Sequence, residues 1–228
     1  YDKLIPLEMG MTVVDVGASI GVFALYASEN VGKLGRVIAF EPEPLSYNAL
    51  IENARMNRAS NILSVQKALW NESGEMNLYP TTILTGSSLF LSSLGGFGQI
   101  PTGECLTVTT CRLDAELPRL GVSHVDFVKM DAEGAAMQIL EGSTGILDSI
   151  DNFAIAAYHK QENAEQMERF LQSYGFRTRI LHRYGLVPFV YATRNPNISL
   201  QYVEAWPFVF ALSMGSLLLY LLWRRQKT

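Results

Sequence analysis

The chain has 228 residues, of which 48% are hydrophobic and 18% are charged, and its formal net charge is -4. This length accommodates one α/β domain with an appendage rather than two full domains, and the composition excludes wholesale disorder because it supplies enough apolar surface for a core. The mild acidity also excludes the basic face that binding to a nucleic-acid backbone needs, so we expect no nucleic-acid partner.

Strand and helix patterns alternate from the beginning of the chain, which is typical of βαβ units that build a mostly parallel sheet. The predicted elements are, in order, a strand at 12–16, a helix at 20–29, a strand at 36–40, a helix at 45–56, a strand at 61–68, an insertion at 71–104 with strand-like pieces near 75–79 and 105–111, a helix at 114–120, a strand at 125–130, a helix at 135–142, a strand at 153–158, a helix at 161–174 and strands at 176–181 and 187–192. The last two strands flank Tyr184-Gly185 and predict an antiparallel hairpin at the sheet edge. The predicted fold class is a doubly wound, Rossmann-like α/β sheet.

The two cysteines, Cys105 and Cys111, have no partner His or Cys residues at the spacing of a zinc site. We expect two reduced thiols, as in a cytosolic protein, with a disulfide as the alternative.

The segment 13–23 predicts a strand that enters a glycine turn and then a helix. Its glycines, Gly17 and Gly21, allow the backbone to approach a ligand closely, but their spacing departs from the Gly-x-Gly-x-x-Gly of dinucleotide-binding loops. Asp15, two positions before the first glycine, suits the sulfonium cation of S-adenosylmethionine. We therefore expect this cofactor to be bound by Asp15, Gly17, Ala18, Ser19 and Gly21.

Acidic residues follow two further predicted strands. Glu41 ends the second strand, where a carboxylate can accept hydrogen bonds from both ribose hydroxyls; the alternative is a surface glutamate before Pro42. Asp131 and Glu133 follow the strand at 125–130, at the edge where open α/β sheets place their ligands. For these two residues the alternative is a helix N-cap and a first-turn acid.

Together the motifs resemble those of the FkbM family of methyltransferases. They are Asp-Val-Gly-Ala at 15–18, Phe-Glu-Pro at 40–42, and Lys-x-Asp-x-Glu-Gly at 129–134 leading to Leu-x-Gly at 140–142, and the resemblance spans about residues 5–193. It implies a class I fold that binds S-adenosylmethionine and transfers its methyl group, typically to a hydroxyl of a small-molecule, glycan or lipid acceptor.

Two departures from the family pattern bear on the site. Many members carry an acidic residue two positions before a histidine after the next strand, whereas this chain has Ala157-Tyr158-His159, which leaves His159 as the polar group there. The third strand ends in Lys67-Ala68 without the acidic residue that often contacts adenine, so only a backbone contact from Ala68 is expected.

An alcohol is a poor nucleophile until its proton leaves, so a catalytic base is expected. The candidates are His159, Asp131 and Glu133, with Asp131 also in the cofactor site. For His159 the alternative is a histidine that caps a strand end. No metal is predicted, because one carboxylate pair is weak support for an ion.

The segment 205–223 contains no charged residue and would extend about 28 Å as a helix, close to a bilayer core. Trp206 and Trp223 bracket it and Arg224 follows. We expect a methyltransferase domain at 1–195 and a linker with a membrane helix at 196–228, the alternative being a buried or dimer-interface helix. Membrane association is thus predicted, with the catalytic domain in the cytoplasm, where its cofactor is made.

Two other functions remain open at this point. One is a cofactor-binding scaffold that has lost catalysis and is tethered to a membrane. The other is an NAD(P)-dependent oxidoreductase, which the glycine spacing disfavours.

Overall fold

A computed structural model describes residues 4–80, 105–157, 163–183 and 187–201 of the chain. The helices and strands of these residues are, in chain order, β1 (Thr12–Val16), α1 (Val22–Val31), β2 (Arg36–Phe40), α2 (Pro44–Met56), β3 (Ile62–Val65), β4 (Ala68–Leu69), β5 (Gly74–Leu78), β6 (Leu106–Cys111), α3 (Leu113–Arg119), β7 (Phe127–Met130), α4 (Ala136–Glu141), a 3-10 turn (Leu147–Ser149), β8 (Asn152–Ala156), α5 (Ala164–Ser173), β9 (Arg177–Arg183) and β10 (Val187–Thr193).

The main sheet has seven strands in the order β9-β10-β8-β7-β1-β2-β3. The pairs β1–β2, β2–β3, β1–β7 and β7–β8 are parallel, whereas β10 is antiparallel to both β8 and β9. The chain runs outward from β1 to β3, then returns to β7 and runs outward the other way. The carboxyl ends of β1 and β7 therefore flank the point where the strand order reverses, which is where such sheets bind ligands.

Both faces of the central strands are buried, as expected for a parallel sheet covered by helices. Neighbouring residues of one strand point to opposite faces, so Val13 and Val14, both 0% exposed, belong to two separate hydrophobic clusters. The Val13 cluster includes residues of α1 and α2, and the Val14 cluster includes residues of α3, α4 and α5. The doubly wound fold predicted from the sequence is confirmed.

The edge hairpin is also confirmed. β9 and β10 pair antiparallel with Ile180 opposite Val190, and Phe189 of β10 lies opposite Ala156 of β8. The predicted turn residues between them, 184–186, lie outside the described residues. The helix predicted at 161–174 begins at Ala164, and the side chain of its N-cap, Asn163, accepts a hydrogen bond from the backbone N–H of Gln166.

The third predicted strand, 61–68, is wrong in its extent. β3 ends at Val65, the chain turns there with the N–H of Lys67 donating to the carbonyl of Val65, and Ala68 belongs to a second sheet. This sheet has the order β4-β6-β5, with β5 and β6 antiparallel. The two strand-like pieces predicted around the insertion are thus confirmed, and residues 81–104 lie outside the described part.

The cysteines have free thiols, as predicted: Cys105 is exposed and Cys111 is buried. Burial raises the pKa of the Cys111 thiol to about 11, with the nearby charge of Glu116 acting in the same direction.

The predicted hydrophobic helix at 205–223 lies outside the described residues and stays a prediction, as does the division at residue 195. Within the described ranges, the helices are all too short or too polar to cross a bilayer.

The end of α4 packs closely against the loop after β4. Gly142 has a φ of −75°, which any residue can adopt, but an added Cβ would overlap the carbonyl oxygen of Trp70. Gly142→Ala should therefore lower the free energy of unfolding by about 1–3 kcal/mol, measured by urea denaturation. Gly74→Ala in β5 is the matched control, because nothing lies within 4 Å of its added Cβ. Equal stability of the two variants would contradict the close packing at Gly142.

Candidate functional site

A crevice opens at the carboxyl ends of β1, β2 and β7. Its lining includes six of the residues predicted from the sequence to form the site, namely Gly17, Ser19, Glu41, Ala68, Asp131 and Glu133. Apolar side chains complete the wall, among them Phe40, Leu69, Leu78 and Ile139. Three motifs that are far apart in sequence thus meet in one cavity, which is lined by acidic and apolar side chains together with Lys67.

Gly17 is required where β1 leaves the sheet. Its φ is +67°, and an added Cβ would overlap the carbonyl oxygen of Asp131. The backbones after β1 and β7 are therefore in direct contact at the floor of the crevice. Gly21 also has a left-handed φ, +91°, and its missing side chain leaves room for Leu50 of α2.

The glycine loop, residues 17–21 between β1 and α1, is held by hydrogen bonds to two neighbouring elements. The N–H of Ala18 donates to the carbonyl of Phe40 at 3.0 Å, which ties the loop to β2. The side-chain amide of Asn53 in α2 donates to the carbonyl of Ile20 at 2.8 Å. Ala18 is 4% exposed, and neither it nor Gly21 lines the crevice. Ala18 and Gly21, both predicted as cofactor contacts, thus contribute to the conformation of the loop on the side away from the crevice.

Asp15 also lies behind the crevice wall. Its side chain is 0% exposed, and its carboxylate Oδ1 is 2.8 Å from Nζ of Lys129 in β7. Burial raises the pKa of Asp15 above its ordinary value, whereas the charge of Lys129 and the backbone N–H of Ala24, in the first turn of α1, favour the charged form. The structure therefore pairs the predicted sulfonium partner with a buried lysine, and that lysine was not singled out from the sequence.

Glu41 is 7% exposed and lines the crevice. One carboxylate oxygen accepts a hydrogen bond from the N–H of Ser19 at 2.7 Å and the other accepts from the N–H of Glu43 at 2.9 Å. Burial raises the pKa of Glu41 to about 7, although these two hydrogen bonds favour the charged form. Glu41 is thus part of the loop structure, and the alternative of a surface glutamate is wrong.

Ser19 has an unusual environment for a polar residue. It adopts a φ of 51°, and its hydroxyl oxygen is buried without a hydrogen-bond partner among the described residues. A buried hydroxyl without a partner is costly in a folded protein, unless a ligand supplies one. Because Ser19 lines the crevice between Gly17 and Glu41, this atom marks a position where a polar ligand group would fit.

Asp131 and Glu133 both line the crevice, but neither caps the helix that follows. The N-cap of α4 is Ala135, and the first turn of α4 contains no acidic residue. The capping alternative for these two carboxylates is therefore wrong. Glu133 has a φ of 48° and is followed by Gly134 with a φ of 99°, so this turn holds a non-glycine residue in a left-handed conformation.

The remaining predicted residues differ in how the structure describes them. Ala68 lines the crevice at the start of β4 and is 3% exposed. Beside it, Nζ of Lys67 lies 2.8 Å from Oε1 of Glu116, an ion pair that sequence reasoning missed because α3 is distant along the chain. His159 lies outside the described residues, so its role as a base stays a prediction.

One group of the described residues could hold a cation, namely His124, Asp126 and Asp151. These residues precede β7 and β8 and so lie at the amino ends of the strands, away from the crevice. They have no connection with the site described above.

Comparison with known proteins agrees with the motif pattern. The family described as "Methyltransferase FkbM domain" matches residues 15–178. The 31-O-demethyl-FK506 methyltransferase FkbM of Streptomyces tacrolimicus is 32% identical over 162 residues, which cover 60% of this chain and 61% of that protein. The hexuronic acid methyltransferase AglP of Haloferax volcanii is 28% identical over 167 residues, covering 73% of this chain and 63% of that protein. The chain thus spans less than two thirds of either relative.

Among solved structures, the methyltransferase FkbM from Methylobacillus flagellatus KT matches with a TM-score of 0.59 and 20% identity. The match covers 83% of this chain and 45% of that one. This likeness establishes the fold.

The raised pKa of Glu41 predicts a pH dependence of stability. Between pH 4.5, the ordinary pKa, and about 7, the unfolded chain has lost this proton while the folded protein retains it. Glu41 therefore makes stability fall as pH rises through this window, by about 3 kcal/mol, with no further change above the folded pKa. Urea denaturation across the window should show that Glu41→Gln lacks this fall.

The matched control is Glu75→Gln at an exposed position of β5, which should keep the wild-type dependence on pH. Parallel curves for the wild type and Glu41→Gln would show that the Glu41 carboxyl does not titrate in this way.

Proposed function

The chain belongs to the FkbM family of S-adenosylmethionine-dependent methyltransferases, and from this membership we propose that it methylates a hydroxyl of a small-molecule, glycan or lipid acceptor. The observation that carries the proposal is the single crevice that joins the glycine loop, Glu41 and Asp131 at the switch point of the sheet. A methyl donor and an acceptor bound there would meet beside the carboxylates that can take a proton.

We propose that the glycine loop and Glu41 hold the nucleoside part of the cofactor. Gly17 and Ser19 line the crevice, and the buried hydroxyl of Ser19 lacks a hydrogen-bond partner among the described residues. The carboxylate of Glu41, ionised, can accept hydrogen bonds from two ribose hydroxyls. The apolar side chains of Leu69 and Leu78, with the backbone of Ala68, would face the adenine ring.

When bound, S-adenosylmethionine supplies an electrophilic methyl group on a positively charged sulfur. The protein's own part is to hold the acceptor oxygen in line and to exclude water, and such positioning accounts for most of the expected rate gain. As the new carbon–oxygen bond forms and the carbon–sulfur bond breaks, the sulfur keeps the electron pair and the acceptor loses its proton. Asp131, Glu133 and His159 are the proposed bases for that proton, with Asp131 and His159 first.

The names of the two relatives favour an oxygen acceptor. One is named for a 31-O-demethyl compound and the other for a hexuronic acid, a sugar class that carries both hydroxyl and carboxyl groups. A hydroxyl acceptor is therefore the proposal, and a carboxyl acceptor is the competing outcome of the assay below.

The proposed attachment to a membrane rests on the sequence of residues 205–223 alone. Such an attachment would bring the crevice close to lipid or amphiphilic acceptors. The scaffold alternative has less support than catalysis, because carboxylates line the crevice at the point where a base is needed. The oxidoreductase alternative is disfavoured by family membership.

Cofactor binding tests the proposed site directly. Calorimetry should show that the protein binds S-adenosylmethionine and S-adenosylhomocysteine and does not bind NADH. Glu41→Gln should weaken the binding of both compounds about 10- to 100-fold and by the same factor, because both contain the ribose and the variant loses a charged acceptor. Glu75→Gln should bind like the wild type. Binding of NADH alone would instead support an oxidoreductase.

Methyl transfer tests the acceptor and the base. Membrane and soluble extracts would be incubated with the protein and methyl-labelled S-adenosylmethionine, and labelled products would then be treated with mild base. A methyl ether keeps its label under this treatment, whereas a methyl ester releases it. We expect stable label in small molecules, glycans or lipids, and at least about 100-fold slower labelling by Asp131→Asn or His159→Asn. Label in protein side chains, or release by base, would contradict a hydroxyl acceptor.

A further inference from the structure

Lys129 is a buried charge at the centre of the site. Its side chain is 6% exposed, and lysines are rarely buried to this degree unless they are paired. Burial alone would lower the pKa of Lys129, but the charges of Asp15 and Asp131 outweigh that effect and raise it, so the lysine is charged. A buried ammonium group held in this way has a defined position and a defined set of acceptors.

Two of these acceptors are backbone carbonyls at the junction of β1 and the glycine loop. Nζ of Lys129 donates to the carbonyl of Gly17 at 2.8 Å and to the carbonyl of Val16 at 3.2 Å. At Gly17 the chain leaves β1 in a left-handed conformation, so its carbonyl is outside the strand pairing of the sheet. This carbonyl is partly buried, and Lys129 supplies its hydrogen-bond donor at the residue where the loop turns into the crevice.

Asp15 is placed to compensate this lysine and not to face the crevice. Its carboxylate is fully buried at 2.8 Å from Nζ of Lys129, whereas Gly17 and Ser19 line the cavity and Asp15 does not. A carboxylate that touched the sulfonium would need to reach past the loop backbone. Its observed contact is with the group that holds that backbone.

We propose that Lys129 is a positioning residue that fixes the glycine loop through the carbonyls of Val16 and Gly17, and that Asp15 acts through Lys129 instead of contacting the sulfonium. This inference rests on the proposed binding of the cofactor at the glycine loop. It reassigns the first acidic residue of the motif from ligand contact to charge compensation.

The test compares the positively charged donor with its product, which lacks the positive charge on sulfur. Dissociation constants for S-adenosylmethionine and S-adenosylhomocysteine would be measured for the wild type, Asp15→Asn, Lys129→Met and the double variant Asp15→Asn/Lys129→Met. The double variant is the decisive one, because it removes both buried charges together and leaves no lone charge to unfold the protein. Lys33→Met, at an exposed position after α1, controls for the loss of one positive charge.

We expect the double variant to fold and to bind both compounds about 10- to 100-fold more weakly than the wild type, because two loop carbonyls lose a charged donor. The ratio of the two dissociation constants should equal the wild-type ratio in the double variant and in Asp15→Asn. Lys33→Met should leave both constants unchanged.

The pH profile of binding supplies a readout that a loss of stability alone would not move. Glu41 is faced by Glu43 from the start of α2 and by Lys129 from β7, and Lys129 lowers the pKa of Glu41. In the variants that lack Lys129, the pKa of Glu41 should therefore be higher, and the pH below which cofactor binding weakens should be higher than in the wild type. An unchanged pH profile of binding would contradict the placement of Lys129 beside the Glu41 carboxylate, which is the group proposed to bind the ribose.

Two further outcomes would overturn the inference. A double variant that binds both compounds like the wild type would show that Lys129 does not position the loop. If Asp15→Asn weakened the binding of S-adenosylmethionine much more than the binding of S-adenosylhomocysteine, the result would show that Asp15 contacts the sulfonium directly. A wild-type protein that bound neither compound would instead overturn the proposed cofactor site, and the inference with it.

Discussion

The buried pair of Asp15 and Lys129 is the interaction on which the site depends. It joins β1 to β7 at the point where the strand order of the sheet reverses, and the ammonium group also donates to the last carbonyl of β1 and the first carbonyl beyond it. Burying two charges is expensive, and replacing such a pair by apolar residues is often neutral or stabilising. The pair is therefore better understood as a means of fixing the loop than as a source of stability.

Most of the fold could be predicted from the sequence because hydrophobic periodicity reports how the chain is buried. β1 and β2 were placed at their observed bounds, and α2 differs from its prediction by one residue, Pro44, whose ring suits the first turn of a helix. The failure at residues 61–68 has a physical cause. Gln66 and Lys67 do not clearly mark the end of a strand. The chain turns there with a bond from the Lys67 N–H to the Val65 carbonyl, and the Lys67 side chain pairs with Glu116 of α3, a contact that no local pattern can reveal.

The site was predictable to the extent that its residues lie at strand ends. Glu41 and Asp131 follow β2 and β7, and because these strands are parallel neighbours of β1, their ends had to meet. The direction of each side chain was not predictable. Asp15 lies on β1, the strand that leads into the glycine loop. Its carboxylate nevertheless points away from the crevice to Lys129, and this contact depends on the register of β1 against β7.

Strained backbone concentrates around the crevice, and this ties the buried pair to function. Three described non-glycine residues have a left-handed φ, and two of them, Ser19 and Glu133, line the cavity. Such conformations cost about 1–3 kcal/mol each and persist only where neighbouring contacts over-determine them. Around Ser19 those contacts are the Glu41 carboxylate and the bonds that hold the loop carbonyls. We propose that a loop held in this way binds the cofactor without rearrangement, which would favour methyl transfer because this reaction gains most from reactants that are already in position.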